Sequence, residues 1–346
     1  MHIPSPKELK EILPLSANQS KFISSKRSIA RDVLLGRDKR MVIVAGPCSI
    51  HDLSAAKEYA QRFKELSQKV KNSCLLIMRV YFEKARTCMG WKGFLYDPHL
   101  NGSNDIQAGL YLARKLLLEL ADMHIPAATE FVDPLLTPYI EDLICWGFIG
   151  ARTCASQPHR QLASHLSLPI GFKNSTDGNL DDAINGVLSA RAPHSFLHVD
   201  EDGRLSAIES QGNALTHIVL RGSNELPNYD PKSVNAAVEK LALAHLTPRL
   251  LIDCSHGNCQ KQFIKQKEAF SSVVQQMQDN EKIMGVMLES HLEKGNQLLS
   301  EEPSSLRYAV SITDPCIDWT TTEELILSAH SALDIVPSSS SSFSYC

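Results

Sequence analysis

What the 346-residue sequence lacks narrows the field first. No apolar run approaches the roughly 20 residues that a membrane-spanning helix needs. No long block of one charge stands behind the formal net charge of -4, so neither nucleic acid nor a membrane surface has compositional support as a partner. The opening residues, MHIPSPKELKEILP, have no signal-peptide apolar core, and the nine cysteines fall at scattered spacings rather than in a disulfide framework. The expectation is a cytoplasmic protein with reduced thiols. No internal sequence repeat is present. Disorder is excluded for most of the chain by a hydrophobic fraction of 43%, and the length suffices for a sizeable core.

What is present is an alternation of strand-like and helix-like stretches. Residues 1–17 are punctuated by proline and read as an extended arm, followed by a helix from Ser20 to Leu35 that Gly36 stops. Strands are expected at Met41–Ala45, Leu75–Val80, Ala127–Phe131, Ile149–Arg152, Pro169–Lys173, His217–Arg221, Arg249–Asp253 and Gly285–Glu289. Between them come helices near Ser54–Val70, Asp105–Ala121, Leu136–Trp146, His159–Leu166, Asp181–Ala190, Ser233–Ala244 and Lys261–Gln278, with a last one near Glu323–Leu333. Eight strand–helix units predict a (β/α)8 TIM barrel spanning 38–334, with residues 1–37 as an N-terminal helical extension. Ser195–Val199 and Leu205–Glu209 flank the turn signal Asp202-Gly203, so an inserted β-hairpin is expected at about 195–210, before the sixth barrel strand. The serine-rich end, 335–346, is expected to be a disordered tail.

Barrel chemistry sits where the carboxyl ends of the strands converge. The stretch LLIMRVYFEKARTCMGWKG, residues 75–93, opens as a buried-looking strand and then releases Arg79, Lys84, Arg86, Thr87 and Lys92. The other strand ends supply Cys48, Glu130, Arg152, Lys173, Arg221, Asp253, His256 and Glu289, with Asp314 in the loop after the last. Singly, each has a structural reading: a buried cysteine as core filler, a histidine as a hydrogen-bonded group, an arginine paired with a neighbour. Together they form two sets. Cys48, His256, Glu289 and Asp314 are a mixed soft and hard donor set suited to manganese, iron or zinc. Arg79, Lys84, Arg152, Lys173 and Arg221 are a cationic floor for carboxylate and phosphate.

The motifs GPCSIHD (46–52), RVYFEKARTCMGWKG (79–93), IGARTCASQ (149–157), GFKNSTDG (171–178), HIVLRG (217–222), IDCSHGN (252–258), GVMLES (285–290) and SITDPC (311–316) closely resemble those of type I 3-deoxy-D-arabino-heptulosonate-7-phosphate (DAHP) synthases. The resemblance runs in order from about residue 20 to 333. It implies condensation of phosphoenolpyruvate with erythrose 4-phosphate, the entry to the shikimate pathway. The expected course is attack of the enol C3 on an aldehyde polarised at a divalent metal, addition of water at C2, and loss of phosphate by C–O cleavage. By the same resemblance Cys48, His256, Glu289 and Asp314 hold the metal. Arg152 and Arg221 take the phosphate of phosphoenolpyruvate, Arg79 and Lys173 its carboxylate, and Lys84, Arg86 and Thr87 face the aldose phosphate. Catalytic roles fall to Lys84, Glu130 and His256, with Glu130 positioning a lysine or the water.

The chain departs from the family pattern at Ala85, where proline is usual, at Ala155, where glutamate is usual, and at Ser175, where glycine is usual. A positive φ at Ser175 would cost about 1 kcal/mol. Relatives bind an aromatic amino acid near the arm, the segments after the third and fourth strands and the hairpin, which makes Asp133, Pro138 and Ser167 candidate effector residues. A homodimer or homotetramer is also implied. Two other readings stay open on sequence: a phosphoenolpyruvate condensation on another aldose phosphate, and a non-catalytic regulatory paralogue.

Overall fold

Six apolar or small residues in succession, MVIVAG, form the first strand, β1 (Met41–Gly46), buried on both faces as central parallel strands are. The computed structural model describes residues 3–300 and 302–334. Next along the chain are β2 (Cys74–Arg79), β3 (Ala127–Glu130), β4 (Trp146–Ile149) and β5 (Ile170–Lys173). After them come β6 (Ser195–Val199), β7 (Leu205–Glu209), β8 (Thr216–Leu220), β9 (Leu250–Asp253) and β10 (Ile283–Glu289). The strands close into a parallel barrel in the order β1-β10-β9-β8-β5-β4-β3-β2, and β6 and β7 pair separately as an antiparallel hairpin. Both the TIM barrel and the inserted hairpin are as the sequence predicts.

The crossover helices are amphipathic for plain reasons of spacing. In α3 (Leu53–Val70, numbered after the two N-terminal helices below) Ala56, Tyr59, Ala60, Phe63, Leu66 and Val70 recur every three or four residues and are buried, and the Asp52 side chain caps the start. The same pattern gives α4 (Ile106–Asp122), α5 (Gln157–His165), α6 (Asp181–Arg191), α7 (Pro231–Leu243), α8 (Gln266–Met277) and α9 (Trp319–Asp334).

Within each strand the residues alternate between two cores. Met41, Ile43 and Ala45 join the layer under the helices, whereas Val42 and Val44 join Leu75, Ile77, Phe148, Val219 and Leu251 inside the barrel. One step further along that inward row stand Arg79 on β2, Asp253 on β9 and Glu289 on β10, with Gly46 paired to Glu289 and Met287 to Asp253. Period-two geometry therefore delivers the charged residues to the mouth.

Four expectations need correction. The arm is not wholly extended: Pro6–Ile12 form α1, started by a capping box in which Ser5 and Glu8 satisfy each other's backbone N–H groups. It precedes α2 (Ala17–Leu34), whose Ala30, Val33 and Leu34 belong to the barrel-interior cluster and close its amino end. The segment expected as a helix at Leu136–Trp146 is a pair of short 3-10 turns, Pro134–Tyr139 and Glu141–Leu143. Pro138 inside the first cannot donate to an α-helical ladder. The fourth strand accordingly begins at Trp146, three residues before the expected start at Ile149. Finally, α8 starts at Gln266 behind a 3-10 turn at Phe263–Lys265 rather than at Lys261. Gln260 and Lys261 have positive φ, which interrupts any helix there. The expected tail, 335–346, lies outside the described residues.

Candidate active site

The sulfur of Cys48 and one carboxylate oxygen each of Glu289 and Asp314 lie within 4.8 Å of one another. His256 lies beside this group rather than inside its 4.8 Å span, with Nε2 3.4 Å from Glu289 Oε1. Its imidazole is aimed by its neighbours: Nδ1 is 2.8 Å from Asp253 Oδ2 and 2.8 Å from Ser255 Oγ. With Nδ1–H donated to the carboxylate, Nε2 carries the lone pair and faces the other donors. His256 sits at φ +54°, a left-handed conformation held in place by these contacts.

Cys48, Glu289 and Asp314 are placed so that they could hold a metal ion, and their mixed sulfur and oxygen chemistry suits a divalent transition ion. Burial, with Glu289 beside it, pushes the Cys48 thiol up to about 11. A soft metal would displace that proton, and the hard carboxylates would supply the charge to offset the ion. Burial alone would also raise Asp253, but His256 and Lys173 hold it well below the usual carboxylate range. Burial likewise works against ionisation of Asp314, and Lys84 and His256 outweigh it.

The expected cationic floor divides in two. Arg79 is fully buried: Nη2 donates to Glu289 Oε1 at 2.9 Å and to the Cys48 carbonyl, Nε donates to the Pro47 carbonyl, and the guanidinium carbon lies 3.5 Å from the centre of the Tyr81 ring. Lys173 donates to Asp253 Oδ2 at 3.0 Å and lies 3.8 Å from Glu130 Oε2. These inner cations already hold carboxylates. Lys84, Arg86, Arg152 and Arg221 are different, because among the described residues no carboxylate lies within ion-pairing distance of any of them. Lys84 Nζ is 3.1 Å from Cys48 Sγ, and Arg152 Nε donates to Thr87 Oγ1 at 2.8 Å. Arg221 is 8% exposed, and burial, reinforced by Arg152, pulls its guanidinium below the ordinary arginine value. Arg221 Nη1 donates to the Gly222 carbonyl at 3.2 Å and Asp253 acts on it only from beyond ion-pairing distance, so without a bound anion its burial is costly.

Two glycines make this arrangement possible. A Cβ on Gly150 would come 2.3 Å from Glu130 Oε1, and one on Gly222 would meet the backbone at Asn258 N at 2.6 Å, at a φ of +73°. At Ser175, by contrast, φ is not positive, so the strain expected there is absent. Its hydroxyl bonds Asp177 and the Asn179 carbonyl instead.

Residues that the sequence reading gave no role are also part of the site. Asp253 orients both His256 and Lys173, and Gln266 bonds the backbone of Glu289 in both directions, at 3.0 and 2.9 Å. Tyr81 was findable, because it continues the inward row Leu75, Ile77, Arg79. Glu83, next to Lys84, accepts the backbone N–H groups of Asp133 and Val132, at 3.0 and 3.4 Å, which ties the Lys84 loop to the segment after β3. Burial pushes its carboxyl up to about 8, against the pull of those two N–H groups.

A carboxyl raised in the folded state keeps its proton where the unfolded chain has lost it, so stability falls as pH rises from the ordinary value of 4.5 to about 8 and then levels. The ceiling of this penalty is about 5 kcal/mol. Glu83→Gln is expected to flatten the decline, read as Tm against pH between 5 and 9. A parallel decline in the variant would remove Glu83 as its source.

Fold and site together define a (β/α)8-barrel enzyme whose mouth sets a transition-metal donor group beside unpaired cations, a match for a substrate with several negative charges. The model of the DAHP synthetase I family matches residues 14–327. The Tyr-sensitive phospho-2-dehydro-3-deoxyheptonate aldolase of Escherichia coli (strain K12) is 47% identical over 331 residues, covering 95% of this chain and 93% of its own. The Phe-sensitive aldolase of that strain is 48% identical over 330 residues, 92% of this chain and 94% of its own, and the Trp-sensitive one 44% over 332, 95% and 94%. The structure of phospho-2-dehydro-3-deoxyheptonate aldolase from Francisella tularensis SCHU S4 superposes with a TM-score of 0.94 at 41% identity, covering 97% of this chain and 98% of that one. The chain belongs to the DAHP synthetase I family. Its activity is the condensation of phosphoenolpyruvate with erythrose 4-phosphate, the first step of the shikimate pathway, and its family uses a divalent metal. No helix among the described residues is long and apolar enough to cross a membrane.

Proposed function

We propose that Cys48 Sγ, His256 Nε2 and the carboxylates of Glu289 and Asp314 would hold that metal, as manganese, iron or zinc, and that the unpaired cations receive the substrates' phosphates. The observation that carries this reading is the division of the cations. Arg152 and Arg221, free of carboxylates and facing the mouth, suit the phosphate of phosphoenolpyruvate. Lys173 serves its carboxylate, reached past Glu130. Arg79 supports Glu289 from below, so its expected role at the substrate carboxylate becomes chiefly one of positioning. Arg86 and Thr87 on the 84–92 loop receive the aldose phosphate, with Lys84 between them and Cys48.

A divalent ion held by these residues would supply Lewis-acid polarisation of the aldehyde oxygen. Lys84, held above the ordinary lysine value despite burial by the neighbouring carboxylates of Glu289 and Asp314, stays protonated and offers a proton to the alkoxide formed as C3 attacks. Arg152 and Arg221 hold the phosphate through C–O cleavage and stabilise it as it leaves. Glu130, beside Lys173, orients the water that adds at C2. Burial of the inner charges keeps the carboxylates fixed during these steps.

The test is phosphate release by purified protein. With manganese present, release is expected only when phosphoenolpyruvate and erythrose 4-phosphate are both supplied. Release with arabinose 5-phosphate in place of the tetrose would favour the alternative aldose, which has the Ala85 departure behind it. Dialysis against a chelator is expected to abolish release by at least about 10³-fold, and manganese, iron or zinc to restore it. Full activity after chelation would contradict the metal assignment.

An aromatic effector is the other part of this proposal, since relatives are named Tyr-, Phe- and Trp-sensitive. Of the three candidate residues, Pro138 lines a cavity of about 170 Å³ with Leu162, Leu166 and Ile208, between the first 3-10 turn, α5 and the hairpin. Asp133 instead accepts the Tyr96 hydroxyl at 2.6 Å and caps that 3-10 turn. Ser167 lines a separate cleft beside α2. α1 braces the hairpin end of the cavity, with Lys10 Nζ 2.7 Å from Glu201. The cysteines among the described residues are free thiols, which supports a reducing, cytoplasmic location.

A further inference from the structure

Three cations of the site gather on one aromatic ring. The Arg79 guanidinium carbon lies 3.5 Å from the centre of the Tyr81 ring, Lys173 Nζ 5.6 Å and Lys84 Nζ 6.0 Å. Tyr81 is buried in the barrel-interior cluster with the Phe148 ring centre 6.4 Å away, and its carbonyl accepts the Ile50 N–H at 2.9 Å. Packing and backbone together therefore fix the ring. Among the described residues its hydroxyl has one bond, to Met287 Sδ at 3.7 Å, and a thioether is a weak acceptor. Burial pushes the phenol well above its ordinary value, against the pull of Arg79, so the side chain is neutral.

We propose that Tyr81 is a positioning residue for the condensation: its ring, and not its hydroxyl, holds the ammonium groups of Lys84 and Lys173 where they meet the substrates. The inference rests on the substrate roles given above to those two lysines. Like charges this close repel, and burial strengthens the repulsion. Glu289 offsets Arg79 and Asp253 offsets Lys173, whereas Lys84 has no carboxylate within ion-pairing distance among the described residues. The negative face of an aromatic ring attracts a cation without itself carrying a charge.

That neutrality suits a site whose cations must stay open to anions. A carboxylate in the ring's place would pair with the lysines and compete with the substrates' carboxylate and phosphate groups for them. An aliphatic chain would offer them no attraction, and the flexible lysine stems would be free to leave the arrangement. At a site shielded from water, a cation held over a ring gains about tenfold or more in the equilibrium that keeps it there.

The experiment grades the ring's negative face while nearly keeping its shape. Full-length protein carrying Tyr81→Phe, the difluoro and trifluoro analogues of that phenylalanine, or Tyr81→Leu is assayed for phosphate release with manganese, phosphoenolpyruvate and erythrose 4-phosphate. Fluorine draws electron density out of the ring and weakens its hold on cations. Tyr81→Phe is expected to keep at least about a third of the wild-type kcat/KM for phosphoenolpyruvate, and each fluorinated ring to lose more, reaching about tenfold below Tyr81→Phe in the trifluoro variant. Tyr81→Leu should fall at least as far, and bound manganese per chain should stay constant across the series. Equal activity in Tyr81→Phe and both fluorinated variants would reduce the ring to a filler of volume and overturn the inference, as would a Tyr81→Phe variant as poor as Tyr81→Leu. Loss of manganese in step with activity would place the effect on Arg79 and Glu289 and overturn the role of the lysines. A Tm that falls stepwise with fluorination while kcat and KM hold would overturn the substrate roles of Lys84 and Lys173 and leave the cation contacts standing.

Discussion

Replacing Cys48 by serine is expected to lower kcat by about 10³-fold or more and to abolish stoichiometric metal binding, with little change in metal-free stability. The sulfur lies within 4.8 Å of the nearest Glu289 and Asp314 oxygens and is the one soft donor in the group. A metal worth several kcal/mol of transition-state charge stabilisation corresponds to that loss, at about 1.4 kcal/mol per decade. Stability should hardly move, because in the metal-free protein Cys48 is a protonated thiol, pushed up to about 11 by burial, and a serine hydroxyl is smaller and uncharged. Metal analysis after gel filtration and steady-state phosphate release check both halves. A variant that binds metal normally and loses activity would assign Cys48 another role.

Replacing Arg221 by methionine is expected to move activity and stability in opposite directions. kcat/KM for phosphoenolpyruvate should fall by about 10²- to 10³-fold, the range of a lost charge-assisted, bidentate phosphate contact. The Tm of the substrate-free protein should instead rise by about 1–3 °C, because a buried guanidinium without a carboxylate partner is replaced by an apolar chain of similar length. Lys173→Met is the contrast. Lys173 pairs with Asp253, which is fully buried, so its removal strands a charge and should cost about 3–5 kcal/mol of stability. Calorimetry in the absence of substrate distinguishes the two. If Arg221→Met lowers the Tm as Lys173→Met does, the division into inner paired and outer unpaired cations is wrong.

That division marks the limit of what the sequence discloses. Alternating apolar runs and amphipathic helices make the barrel legible, and Asp202-Gly203 places the hairpin, because local chemistry decides those elements. Period two also carries Arg79, Asp253 and Glu289 inward, so the membership of the site can be read. Their pairing cannot, since the contacts of Arg79 with Glu289 and of Lys173 with Asp253 join strands far apart along the chain. The segment after β3 misleads for a different reason. Leu136, Tyr139 and Trp146 have a helical look, yet Pro134 and Pro138 hold the backbone in 3-10 turns, and those turns form a wall of the cavity proposed for the effector. The N-terminal α1 is hard to read from sequence because its prolines look like turn punctuation, whereas Pro6 takes the first helical position behind the Ser5–Glu8 capping box.

The most direct measurement is anomalous diffraction from crystals grown with manganese. A single peak is expected within bonding distance of Cys48 Sγ, His256 Nε2 and the carboxylates of Glu289 and Asp314, with the Arg221 guanidinium facing the same cavity. A peak elsewhere in the molecule, or one ligated without Cys48 and His256, would contradict the account.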